Sequence, residues 1–127
     1  MIKKQEDEIY KTLARYISIK YPEVVFRFDY AAGLYMSFAQ SKKHSAINPI
    51  KGYPDLFIAK PSKGYSGMFI EIKTEAAQPF KKDGGLKKNE HLEKQNLIMS
   101  QLKAAGYYST FGVGIKKCIQ LIDWYLE

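Results

Sequence analysis

The sequence has a single cysteine, Cys118, one tryptophan and two histidines in 127 residues. A lone cysteine excludes an intrachain disulfide framework and a zinc finger built on cysteine pairs. No apolar run approaches the roughly 18 residues that span a bilayer, and the opening Met1-Ile2-Lys3-Lys4-Gln5-Glu6-Asp7-Glu8 is too charged for a secretory signal. The expectation is a cytoplasmic protein with no membrane partner. Acidic residues are also scarce, 13 against 20 lysines and arginines, for a net charge of +7. That excess suits a polyanionic partner, although a surface of solvated lysines produces the same balance. The remaining composition, 46% hydrophobic and 26% charged, is that of an ordinary globular protein. At this length about two-thirds of the unfolded surface can be buried, enough for one self-sufficient domain over residues 1–127.

Ile2, Ile9, Leu13, Tyr16 and Ile17 recur at helical spacing, with Glu6, Asp7 and Glu8 in the early turns, where they complement the helix dipole, and Pro22 beyond the end. Val24 to Phe28 reads as a strand, broken by Ala31-Ala32-Gly33, and Tyr35 to Ala39 as a second short strand. Residues 41–63 carry Lys42, Lys43, Lys51, Lys60 and Lys63 against the single acid Asp55, and the first half of this stretch reads as a basic loop. Leu56–Ala59 and Met68–Ile72 are strand-like runs joined by turn formers, which predicts an antiparallel hairpin. Thr74 to Asn89 is polar and long for a plain connection, the kind of loop that is often mobile or functional. A helix over Glu90–Ala105, capped by Asn89 and stopped at Gly106, leads to a strand over Tyr107–Val113. Ile115, Cys118, Ile119, Ile122 and Tyr125 mark a closing amphipathic helix, in which Cys118 is a small buried hydrophobe. This order predicts an α/β fold with a mixed sheet.

Alternation in the second hairpin strand turns Met68, Ile70 and Ile72 one way and Phe69, Glu71 and Lys73 the other. Asp55 opens the preceding strand, after Gly52-Tyr53-Pro54, and antiparallel pairing brings it alongside the Glu71–Lys73 end. Two carboxylates this close raise each other's pKa unless a cation lies between them, and their oxygens suit Mg²⁺ or Mn²⁺. The same spacing also allows Asp55 to cap a turn while Glu71 pairs with Lys73 across a solvent-facing strand. Gln95 falls among His91, Leu92, Ile98, Met99 and Leu102 on the apolar face of its helix. An unpaired amide there costs about 1–3 kcal/mol, so Gln95 needs a partner, in the backbone or in a site.

Asp55, fifteen intervening residues and then Glu71-Ile72-Lys73 resembles the PD-(D/E)xK nuclease signature, with Pro54 supplying the proline. The longer string Gly52-Tyr53-Pro54-Asp55-Leu56, Glu71-Ile72-Lys73, Gln95 and Ala105-Gly106-Tyr107 resembles the VRR-NUC family of that superfamily, over roughly residues 50–127. The resemblance implies a restriction-endonuclease-like core, a mixed central β-sheet flanked by helices. It implies a Mg²⁺- or Mn²⁺-dependent deoxyribonuclease in which Asp55, Glu71 and the main-chain carbonyl of Ile72 hold the metal. Lys73 would orient the attacking water, and Gln95 would pair with that lysine or with a water at the metal. Nuclease relatives often add a helical acid near the metals, and Glu8 is the candidate. No role falls to His44 or His91.

Lys42, Lys43 and Lys51 before the motif, and Lys81, Lys82, Lys87 and Lys88 after it, are the candidates for contact with DNA phosphates. The ten tyrosines are too dispersed for a base-stacking platform and are expected in the core or at its rim. Stand-alone, phage-type relatives suggest a homodimer cutting branched DNA such as four-way (Holliday) junctions, in a host cytoplasm, because a two-fold dimer presents two sites to opposed strands. Two other readings remain open: a sequence- or damage-directed endonuclease on the same fold, and a catalytically silent DNA-binding module.

Overall fold

In the computed structural model, which describes residues 2–29 and 36–127, helix α1 spans Ile2–Lys20 and ends ahead of Pro22. Its stripe Ile9, Leu13 and Ile17 is buried, and it packs on the closing helix α4, Gly114–Leu126, whose Cys118, Ile122 and Tyr125 face inward. Four strands follow the order β1-β2-β3-β4: Phe26–Phe28, Leu56–Ile58, Met68–Lys73 and Tyr108–Val113. The first three are antiparallel neighbours, whereas β4 runs parallel to β3. A parallel neighbour requires a crossover, which helix α3, Glu90–Ala104, provides.

The two faces of the sheet are covered differently. Leu56, Ile58, Met68, Ile70 and Ile72 join α1 and α4 in the main core, while Phe111 of β4 packs with Leu92 and Met99 of α3 and with Leu86. Each fully buried aliphatic side chain contributes about 1.5–3 kcal/mol, so the alternation of β3 commits its odd-numbered residues to the α3 face. Gly112 allows α4 to approach β4 closely: a Cβ there would lie 2.7 Å from Cys118 Sγ and 2.8 Å from Ile70 Cγ2.

Two segments depart from the sequence reading. Residues expected as a basic loop, with Phe38 and Ala39 from the expected second strand, form helix α2, Phe38–Ile47. Its N-terminus is a capping box, in which Gln40 N donates to Ser37 Oγ at 3.2 Å and Ser37 N to Gln40 Oε1 at 2.9 Å. None of its residues is buried, so there was no apolar period to detect. Tyr35 and the Ala31-Ala32-Gly33 break lie outside the described residues.

The polar stretch after β3 is ordered by a few anchors. Thr74 caps a 3-10 turn over Glu75–Ala77, Pro79 is fully buried, and the Phe80 ring meets Phe111 edge-on at 5.5 Å. Phe80 then bridges to Leu86, and Lys87 N donates to Pro79 O at 2.9 Å, closing a small hairpin.

Candidate active site

The β2–β3 register pairs Leu56 with Ile70, which sets Asp55, one residue ahead of β2, opposite Glu71. Asp55 Oδ2 accepts from Ile72 N at 2.7 Å, and the Asp55 carbonyl accepts from Asp29 N at 2.7 Å, so the aspartate is held by both neighbouring strands. The turn before it is equally constrained. Gly52 has φ +83°, and a Cβ there would lie 3.1 Å from both Lys94 O and Gln95 N, while Pro54 is fully buried. Gly52 therefore lets this turn lie directly on α3.

Glu71 projects from β3 toward α3 and is only 4% exposed. Gln95 Nε2 donates to Glu71 Oε2 at 3.2 Å, and Lys73 Nζ forms an ion pair with the same oxygen at 3.7 Å. α3 is fixed in turn by Asn89, whose Oδ1 accepts from Leu92 N at 3.1 Å.

Burial holds the Glu71 carboxyl well above the ordinary carboxylate value; the charge of Asp55 and a hydrogen bond with it add to the rise, Lys73 opposes it, and Glu6 of α1 adds a smaller push. Burial also raises Asp55, against hydrogen bonds from Glu71, the Ile72 N–H and the Tyr10 hydroxyl. Tyr10 itself is pushed far up, first by burial and then by Asp55. Burial and mutual repulsion thus disfavour two negative charges at this end of the sheet, most of all on Glu71.

Two buried oxygens of this cluster, Glu71 Oε1 and Gln95 Oε1, have no hydrogen-bond partner; Ser109 Oγ, on β4 opposite Phe69, is another such buried atom. Each unpaired buried acceptor costs about 1–3 kcal/mol, and a hard cation is a group that would satisfy carboxylate and amide oxygens of this kind. Because the Ile72 N–H faces Asp55, the carbonyl of that extended residue is directed at the same edge. Among the described residues no three Asp, Glu, His or Cys side chains converge into a metal cluster. Two carboxylates supplemented by neutral oxygens would suit Mg²⁺ or Mn²⁺.

Asp55, Glu71, Lys73 and Gln95 are thus brought together. The partner of Gln95 is the Glu71 carboxylate, where the sequence suggested Lys73 or a water. The solvent-facing alternative for Glu71 fails on burial, although its ion pair with Lys73 is present. Glu8 is exposed, on the wall of a cleft of about 740 Å³ that Thr74, Glu75 and Lys116 also line. The α1 groups that act on the carboxylates are Glu6 and Tyr10. Their i, i+4 spacing beside the Ile9–Leu13 stripe is a signal the sequence contained.

Lys42 and Lys43 are exposed on α2, and Lys51 is exposed beside Gly52, one residue from the contact with Gln95. Lys81 and Lys82 are exposed at the tip of the small hairpin, and Lys87 and Lys88 are exposed between it and the α3 cap. His91 is exposed, and His44 lies 3.4 Å from Asn48 Nδ2.

No family model matches the chain, and no curated protein matches it. The structure is similar to a solved structure described as "VRR_NUC domain protein", over 96% of this chain and 88% of that one, with a TM-score of 0.63 and 20% sequence identity. At that identity the likeness is one of fold. A mixed four-stranded sheet between helices, with Asp55 and Glu71-Ile72-Lys73 at one end, is the restriction-endonuclease-like architecture, and the chain has the VRR-NUC fold.

Proposed function

We propose that the protein is a divalent-metal-dependent deoxyribonuclease that hydrolyses phosphodiester bonds in branched DNA, such as four-way junctions, as a homodimer. The observation that carries this reading is the pair of unpartnered buried oxygens, Glu71 Oε1 and Gln95 Oε1, beside two carboxyls that burial and mutual repulsion hold above their ordinary pKa. Asp55, Glu71 and the Ile72 carbonyl would hold Mg²⁺ or Mn²⁺, which when bound would supply charge screening for the phosphate and the leaving oxygen and a lowered pKa for water.

The side chains do the positioning. Gln95 fixes the plane of the Glu71 carboxylate, and the Ile72 N–H fixes that of Asp55. Lys73 orients the attacking water and brings positive charge to the phosphate oxygens as negative charge builds on them; a carboxylate in its place would repel both. Lys42, Lys43, Lys51, Lys81, Lys82, Lys87 and Lys88 contact the DNA backbone and supply affinity without reading sequence. Among the described residues no helix is long and apolar enough to cross a membrane.

The test compares cutting of single-stranded, duplex, flap and four-way-junction DNA in Mg²⁺, Mn²⁺ and EDTA, with Asp55→Asn and Glu71→Gln as controls. Metal-dependent cutting that both substitutions abolish, in proteins with unchanged circular dichroism, is the expected result. Lys73→Ala is expected to lose at least about a hundredfold in rate while keeping most DNA affinity. Salt-sensitive binding with no cutting in either metal would leave a DNA-binding module and overturn the nuclease. A sequence-specific ladder on plain duplex would replace the branched substrate, and a monomer by sedimentation would remove the dimer.

A further inference from the structure

Tyr53 sits in the turn that leads into Asp55, yet nothing in the proposed hydrolysis uses it. It is 44% exposed, while the residues on either side are immobilised: Gly52 lies on the α3 main chain and Pro54 is fully buried. Its ring meets Phe69 edge to face, with centroids 5.6 Å apart and planes at 87°. Phe69 is itself stacked on Phe57 at 4.5 Å and 22°, and meets Tyr107 edge-on at 5.3 Å. A perpendicular contact cannot cover both faces of the Tyr53 ring. The structure thus holds a half-exposed aromatic ring on a braced aromatic bed between two constrained residues, so that part of the entropy of ordering it is spent in folding and not on binding.

The placement of that ring relative to the carboxylates is informative. Phe69 and Glu71 are alternate residues of β3 and share a face, so the Tyr53–Phe69 pair lies about 7 Å along the strand from the Glu71 position. A single nucleotide bridges that distance from phosphate to base.

We propose that Tyr53 stacks on an unpaired nucleobase of the strand whose phosphate occupies the Asp55–Glu71 site. This rests on the nuclease reading and narrows its substrate. A base inside a duplex is already stacked on its neighbours and gains little from Tyr53. A base freed at a branch point, in a flap or in a single strand gains an aromatic face, worth about fivefold or more in affinity. Selectivity for interrupted duplexes then comes from one side chain beside the reacting centre.

The test is a double-substitution cycle read by fluorescence anisotropy in Ca²⁺. A branched DNA carries a single abasic position, moved in turn through each nucleotide around the branch, and is bound by the wild type and by Tyr53→Phe, Tyr53→Leu and Tyr53→Ala. The expected result is one position at which base removal weakens the wild type and Tyr53→Phe about fivefold or more, and leaves Tyr53→Leu and Tyr53→Ala unchanged. Leucine keeps the contact with Phe69, so a folded Tyr53→Leu protein separates stacking from stability. Equal losses at every position in all four proteins, or a Tyr53→Leu protein that behaves as wild type, overturns the proposal. Cutting by the wild type in Mg²⁺ or Mn²⁺ is measured in parallel. Cutting with an additive cycle sinks the stacking role alone, no cutting with a non-additive cycle sinks the nuclease alone, and failure to bind DNA sinks both.

Discussion

Glu71 is an ionisable group that the fold buries at a cost, and its consequences can be measured without any substrate. Its folded pKa lies well above the ordinary value of 4.5, so folding takes up a proton between that value and the raised one. The sign follows from linkage: this contribution to stability is fully present below about pH 4.5 and is lost as pH rises through the folded pKa. In EDTA the wild type is therefore expected to lose thermal stability relative to Glu71→Gln as pH rises from about 4 to about 8, and Mn²⁺ is expected to restore it only while both carboxylates are present. A wild type that tracks Glu71→Gln across that range, with and without metal, would show that Glu71 carries no buried charge. At this scale the sequence was legible for Asp55, Glu71 and Lys73, because strand alternation and the hairpin determine their faces. It was not legible for Tyr10 or for the pairing of Gln95 with Glu71, which depend on how α1 and α3 dock on the sheet.

Among the elements, the helices on the α1 face are clamped at one end by a single carboxylate. Asp123 of α4 accepts from the Tyr16 hydroxyl at 2.8 and 2.7 Å, from Tyr21 at 2.6 Å and from Lys20 at 3.2 Å. Burial alone would raise its pKa, but the hydrogen bonds from Tyr21, Tyr16 and Lys20 outweigh it and hold the carboxyl below its ordinary value of 3.8. That stabilisation is present above about pH 3.8 and lost as pH falls through the lowered folded value. Asp123→Ala is expected to cost about 1–3 kcal/mol at neutral pH, read as a lower urea midpoint at unchanged slope, with DNA cutting preserved. Gly52→Ala makes the opposite distinction. A Cβ at φ +83°, 3.1 Å from the Lys94 carbonyl, forces α3 outward, so cutting is expected to fall by about tenfold or more with a stability loss of only about 1–2 kcal/mol. Loss of stability without loss of rate would remove Gly52 from the support of Gln95. Helix α2 shows what pattern reading misses, since it is specified by the Ser37–Gln40 box and buries nothing. A hydrophobic period is the record of a core, and this helix faces none.

Across the whole molecule, the excess of seven positive charges is carried in part by exposed lysines on α2, on the small hairpin and beside Gly52. If these contact phosphates, the logarithm of DNA affinity falls linearly with the logarithm of salt concentration, and replacing Lys81 and Lys82 by alanine lowers the slope by about 2. An unchanged slope would place the hairpin away from DNA. The α/β class and mixed sheet were readable from element order, because an antiparallel hairpin followed by helix and strand leaves a parallel neighbour as the economical pairing.

The sequence by itself determined which residues would meet, because alternation and spacing are properties of the local backbone and assign Asp55, Glu71 and Lys73 to one end of one hairpin. Only the tertiary structure decided the state of that end. Long-range packing of α1 and α3 buries Glu71 to 4% exposure and leaves its Oε1 unpartnered, and the turn before Asp55 seats Tyr53 on Phe69, two residues along β3 from Glu71. Burial depends on contacts between residues far apart in the chain, and no local period encodes those.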